Sequence, residues 1–161
     1  MLLLHGLLAV LLGWLIDGLT VGSWLLGFVA GYLLLRLAGL RLPACRLYAM
    51  RVVAGTLFVP WFAWKILAAS LDVARLVLDP RRQAQPAVIA ARLQLHDRRL
   101  VTVVSCLFTL TPGTLALEYV EEDGLLYVHV LDARSAQPAL DALAEIECRL
   151  MAWVWPLGDG Q

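Results

Sequence analysis

Apolar and polar positions follow two different rules along this chain. Leu2 to Ile16 is apolar apart from His5 and two glycines, and Leu19 to Leu35 is apolar apart from Thr20, Ser23, glycines and a tyrosine. Asp17-Gly18 separates the two runs. Such runs predict helices, and Asp-Gly is a turn signal, so the pair folds back as an antiparallel helical hairpin. At 1.5 Å per residue the runs reach about 22 and about 25 Å, short of a hydrocarbon core of about 30 Å. Trp14 and Trp24 fall near the turn end, where aromatic belts form. Asp17 is expected at a water-facing tip and His5 at the interface.

A third apolar stretch, Val52 to Leu71, is long enough to span at about 30 Å but contains Pro60 and Lys65. Its large aliphatic and Phe residues favour insertion by about 4 kcal/mol, against about 3 for a central Lys65. On a helical wheel Arg51, Lys65, Asp72, Arg75 and Asp79 share one broad arc. The expectation is therefore a tilted or interfacial helix, or one whose polar stripe faces partner subunits, with Asp72 and Arg75 as contact candidates. Pro80 biases Asp79 out of the α region and ends the helix.

From Pro86 the period changes to two. Val88, Ala90, Arg92 and Gln94 alternate with Ala87, Ile89, Ala91, Leu93 and Leu95, as in a half-buried strand. Asp97 is placed to cap a helix from Arg98 to Leu110, whose narrow polar stripe is Arg98, Thr102, Ser105 and Thr109. Thr109-Leu110-Thr111-Pro112-Gly113-Thr114-Leu115 then stops the helix, since proline cannot continue it and Pro-Gly suits a type II turn. Leu115–Val120 and Leu125–Leu131 flank Glu121-Glu122-Asp123-Gly124 and read as a hairpin. A final amphipathic helix runs roughly from Ala136 to Trp153, with Leu140, Leu143, Ile146 and Leu150 on one face.

The order strand, helix, strand, strand, helix predicts an α+β fold: a small split-βαβ, ferredoxin-like domain (β-α-β-β-α) lacking one strand. It follows the apolar hairpin and the third membrane-associated helix. Residues 1–80 form the membrane-embedded and interfacial helices, and residues 81–157 a cytoplasmic domain.

Composition supports a membrane protein. The chain is 61% hydrophobic and 16% charged with a mean hydropathy of +0.77, whereas roughly a quarter of residues are charged in soluble domains. Up to Leu71 the charges are Asp17, Arg36, Arg41, Arg46, Arg51 and Lys65. The four arginines without an acid among them place that segment on the cytoplasmic side. Arg98 and Arg99 are offset by Glu118, Glu121, Glu122 and Asp123, so no nucleic-acid surface is implied. Cys45, Cys106 and Cys148 have neither disulfide-framework nor zinc spacing and fit a reducing compartment. The apolar start, without an early Lys or Arg or a small-x-small site, reads as an uncleaved membrane segment.

Candidate chemistry is sparse. No nucleophile elbow, P-loop, GxGxxG or HExxH occurs, and His5, His96 and His129 are far apart. His96 and His129 could meet across the sheet, and Glu121 to Asp123 form an acidic turn, but neither has the spacing of a metal site. No catalytic, metal or cofactor residue is assigned. For the Thr-Pro-Gly-Thr motif two readings stand level: a helix stop, or hydroxyls and an apolar face that dock on a neighbouring protein of the same complex.

Three motifs carry a family resemblance. Ser70-Leu71-Asp72-Val73-Ala74-Arg75-Leu76-Val77-Leu78, the Thr109–Leu115 segment, and Leu126-Tyr127-Val128-His129-Val130-Leu131-Asp132 follow the apolar hairpin in that order. Together they resemble the E subunits of the Mrp (Mnh, Pha) multisubunit sodium/proton antiporters, over nearly the whole chain. The resemblance implies a bacterial inner-membrane complex that exchanges Na⁺ or K⁺ for H⁺, in which this subunit is accessory and non-catalytic and serves assembly or activity. It also implies the other subunits as partners; the apolar helices add membrane lipid, and the motif's own residues, Thr109, Thr111, Pro112, Gly113 and Thr114, are the structural or subunit-contact candidates. The alternative from the residues alone is a membrane-tethered sensor of a small ligand or ion, built on His96, His129 and the acidic turn.

Overall fold

The structure is a computed structural model that describes residues 1–18, 20–132, 134 and 136–156, with the side chain of Asp17 excepted. The expected place of Asp17 at a water-facing tip, and residue 157 of the expected domain, lie outside that description. The chain forms two compact units, Met1–Thr56 with Trp153 onward, and Leu57–Ala152.

The first unit is helical. α1 (Leu2–Asp17) and α2 (Val21–Ala38) are followed by the start of α3 (Pro43–Leu78). Thr20 caps α2: its hydroxyl accepts from Ser23 N at 3.2 Å, and Ser23 Oγ accepts from Thr20 N at 2.9 Å. This reciprocal box satisfies two donors that the helix start leaves open.

The two helices are antiparallel and meet through small residues. Gly13 lies against Ser23, Gly27 against Ala9 and Gly13, and Gly31 against His5 and Leu8. At Gly27 the approach is so close that a Cβ would lie 2.6 Å from Gly13 N, which no side chain tolerates. Outward-facing positions are large and apolar, with Leu3 87%, Val21 80% and Leu15 74% exposed. This inverts the pattern of a water-soluble helix and suits a lipid surround. α2 and α3 are long and apolar enough to cross a membrane, while Leu2–Ile16 is a shorter apolar helix.

His5, expected at the interface, is enclosed by the three helices of its unit. It is 1% exposed, with Nδ1 2.7 Å from Tyr48 Oη and Nε2 2.9 Å from the carbonyl oxygen of Phe28, and its ring stacks on Phe28. Gly31 opposite leaves the room for the imidazole. A buried polar ring must find such partners.

α3 begins at Pro43, well before Val52, and runs unbroken through Pro60 to Leu78. Proline is at home in a first helical turn, where its missing N–H costs nothing. Arg46 and Arg51 therefore sit on this helix.

The second unit holds Leu57–Leu78 of α3, then β1 (Ala87–Arg92), α4 (Arg98–Thr109), β2 (Thr114–Val120), β3 (Leu125–Val130) and α5 (Ala136–Val154) up to Ala152. Its sheet has the order β1-β3-β2, with both neighbouring pairs antiparallel. β3 therefore lies between the two strands that α4 connects. Leu126, Val128 and Val130 form a buried row on one sheet face, joined in the core by Val101, Val104 and Phe108 of α4 and Leu143, Ile146 and Leu150 of α5. Tyr127 and Val88 belong to the opposite, more exposed face.

β1 ends sooner than the alternation to Leu95 suggests. Leu93 N donates to Gly124 O, and Gln94 N and Leu95 N both donate to Glu147 Oε1, at 2.7 and 2.8 Å. Glu147 is 3% exposed and ties this segment to α5. Asp97 caps α4 as expected, accepting from Arg99 N and Leu100 N at 2.8 and 3.2 Å.

Candidate functional site

The Thr-Pro-Gly-Thr segment forms a hydrogen-bonded joint between α4 and β2. Gly113 has φ +86° and Thr114 N donates to Thr111 O at 3.2 Å, the signature of a turn with glycine at its third position. Thr114 Oγ1 lies 2.8 Å from both Phe108 O and Thr111 O, adding a hydroxyl donor to two carbonyls that also accept backbone N–H groups. Thr109 Oγ1 accepts from Ala116 N at 3.1 Å, and Thr111 Oγ1 reaches Leu107 O at 3.5 Å. Leu131 N donates to Gly113 O at 2.8 Å, which fastens the turn to the end of β3.

The three threonine hydroxyls thus engage the joint's own backbone. What the joint presents outward is apolar: Leu110, Leu115 and Leu117 are 60%, 44% and 51% exposed. A register shift between Ala116 and Glu118 accommodates Leu117 as an extra residue in β2.

α3 meets the turn at Val73, the residue after Asp72. A Cβ on Gly113 would lie 3.1 Å from Val73 Cγ2, so the turn packs beside Asp72 and Arg75 in sequence. Those two pair with each other at 2.9 Å and stay exposed.

Beside the joint, α4 and β2 enclose a groove of about 660 Å³ lined by the polar stripe Arg98, Thr102, Ser105 and Thr109 together with Cys106 and Tyr119. Arg98 faces Glu121 across it at 3.8 Å. Near the end of β3, Arg134 hydrogen-bonds the Asp132 carboxylate and holds it below the usual carboxylate range. Arg134 also donates to Gln83 O.

Lys65, the costly residue of the third apolar stretch, has its partner in α5. Its Nζ is 2.7 Å from Glu145 Oε2, Arg149 pairs with Glu145 at 3.1 Å, and the Arg149 guanidinium lies 4.2 Å over the Trp61 ring. The Lys65 hydrogen bond, with that of Arg149, keeps the Glu145 pKa low against the opposing effect of burial. Sequence reasoning missed this group, because Glu145 lies eighty residues downstream and no local spacing links them.

His96 is exposed and His129 half-buried on β3, paired with Val88 and Leu115 in the ladder. Among the described residues no group of three or more His, Cys, Asp or Glu is placed to hold a metal.

Comparison with known proteins decides the family. The model described as "Na+/H+ ion antiporter subunit" (MNHE) matches residues 3–154. This chain belongs to that antiporter-subunit family. The E subunit of the Na(+)/H(+) antiporter of Alkalihalophilus pseudofirmus is 27% identical over 116 residues, 72% of this chain and 73% of that one. Its namesake from Bacillus subtilis is 28% identical over 122 residues, 74% and 77% of the two chains. A chain of the membrane-bound sulfane sulfur reductase, an archaeal respiratory membrane complex, superposes with TM-score 0.54 at 23% identity, over 92% of this chain and 95% of that one. This last likeness concerns fold alone. As part of an antiporter in a bacterial membrane, the chain has the other antiporter subunits as its partners.

Proposed function

We propose that this chain is the accessory, non-catalytic E subunit of an Mrp-type antiporter that exchanges Na⁺ or K⁺ for H⁺, and that it supports assembly of the complex. The observation that carries the reading is the family match from residue 3 to residue 154, which embraces the apolar helices and the α+β domain alike.

The geometry supports an assembly role. The Thr109, Thr111 and Thr114 hydroxyls are engaged in the joint, and the exposed Leu110, Leu115 and Leu117 beside them offer apolar area to a neighbouring protein of the complex. In this reading Pro112 and Gly113 shape that surface while Asp72 and Arg75 border it. Residues 1–80 are the membrane and interfacial part and 81–157 a cytoplasmic domain, an orientation that rests on the arginines between Arg36 and Arg51. The β1-β3-β2 order with α4 as crossover supports the ferredoxin-like description with its fourth strand missing.

The test is co-purification from cells expressing the whole operon. A tagged chain is expected to recover the other antiporter subunits, and Leu115→Asp with Leu117→Asp to reduce that recovery while the isolated chain still folds. A chain that stays monomeric while the complex assembles without it would overturn the proposal. Labelling of a cysteine placed at Glu122 from outside the cell would refute the cytoplasmic orientation.

A further inference from the structure

The turn between α2 and α3 carries three arginines that no acidic side chain among the described residues neutralises. Arg36 lies in the last turn of α2, Arg41 in the connection and Arg46 near the start of α3. All three are exposed, and among the described residues none makes an ion pair or a side-chain hydrogen bond. No Asp or Glu occurs between Gly18 and Leu71 to serve them. Arg51, further along α3, differs: its guanidinium donates to Val154 O at 2.8 Å.

The turn is tight, which brings the backbones of Arg36 and Arg46 to either side of Gly39, with Arg41 in the short connection between them. A Cβ on Gly39 would lie 2.9 Å from Cα and N of Arg46 and 3.0 Å from the carbonyl oxygen of Arg36. Arg41 N and Leu42 N both bond Ala38 O, closing the connection within a few residues. Leu37, Leu40 and Leu42, 63%, 83% and 55% exposed, alternate with the arginines.

We propose that this turn binds the phosphate of an anionic phospholipid, with Arg36, Arg41 and Arg46 around the headgroup and Leu37, Leu40 and Leu42 against the acyl chains. Guanidinium is weakly hydrated and presents forked donors that match phosphate oxygens. A basic cluster beside apolar membrane helices is where anionic headgroups gather. The alternation of arginine with exposed leucine beside apolar helices matches an anionic lipid, which offers a charged headgroup and apolar chains in one molecule. Inorganic phosphate shares the headgroup's chemistry but lacks the chains.

The experiment uses the full chain in nanodiscs, with arginine reactivity toward phenylglyoxal read residue by residue by mass spectrometry. In phosphatidylcholine discs Arg36, Arg41 and Arg46 are expected to react freely, and in discs containing phosphatidylglycerol to be protected, with Arg51 unchanged between them. Native mass spectrometry is expected to show retained phosphatidylglycerol, weakened about fivefold per charge removed and on the order of a hundredfold in Arg36→Gln/Arg41→Gln/Arg46→Gln. Circular dichroism checks that this variant folds; if it does not, the protection assay on the unaltered chain decides. Equal reactivity in the two kinds of disc overturns the proposal. So does protection by inorganic phosphate alone in phosphatidylcholine discs, or protection that arises there on adding the other antiporter subunits.

Discussion

His5 and Tyr48 meet at 2.7 Å between Nδ1 and Oη, joining the first helix of the chain to the third. The carbonyl of Phe28 at Nε2 is an obligate acceptor, so Nε2 carries the proton and Nδ1 accepts from the phenol. One imidazole therefore ties α1, α2 and α3. Tyr48→Phe removes the donor and leaves Nδ1 unpaired, and a loss of about 1–2 kcal/mol in unfolding free energy is expected. His5→Leu should cost at least as much, and the double variant little more than the larger single loss, because both act on one bond. Unfolding in mixed micelles measures all three; fully additive losses would show that the bond contributes nothing.

Gly27 predicts a steric effect of another kind. With Gly13 N 2.6 Å from where its Cβ would be, Gly27→Ala forces α1 and α2 apart and is expected to cost about 1–3 kcal/mol. Gly22, with nothing near its missing side chain, is the control, and Gly22→Ala should be neutral or slightly stabilising. Comparing the two melting curves separates helix crossing from helix propensity.

These contrasts mark what the residues disclosed. The apolar runs, the Asp97 cap, the Pro112-Gly113 stop and the Asp123-Gly124 hairpin are local, and their period or turn chemistry can be read in a window of a few residues. His5, Lys65 and Glu147 misled or escaped that reading, since their partners Tyr48, Glu145 and the Gln94–Leu95 amides are 43 or more positions away. A polar residue in an apolar run shows no partner in its own neighbourhood, and only the fold supplies the distant one. For the joint, sequence located Thr109 to Thr114 but could not show where the hydroxyls point.

Gly113 tests that joint directly. Its φ of +86° is open to glycine and strained for alanine, and an added Cβ would crowd Val73 Cγ2. Gly113→Ala is expected to lower domain stability by about 1–3 kcal/mol, and Thr114→Val by about 1 kcal/mol through loss of its hydroxyl bonds to the end of α4. Hydrogen exchange should place the loosening at α4 and β2. An unchanged exchange pattern in Gly113→Ala would mean that the turn is not a constraint on the domain.

The last prediction concerns acid. Glu145 has a folded pKa held below its unfolded value, first by the hydrogen bond from Lys65. The ionised form is thus favoured by folding: its contribution is present above the ordinary glutamate pKa, about 4.3, and disappears as the pH falls through the lower folded value. Both side chains are more than a third exposed, so solvent screening keeps the contribution below about 1 kcal/mol. Asp132, lowered by Arg134, acts in the same direction at the end of β3. Melting temperature should accordingly fall between about pH 5 and pH 3, and Glu145→Gln should flatten part of that slope while lowering stability at neutral pH. A slope unaltered in Glu145→Gln would assign the acid sensitivity to other carboxylates and leave the Lys65 pair without a stabilising role.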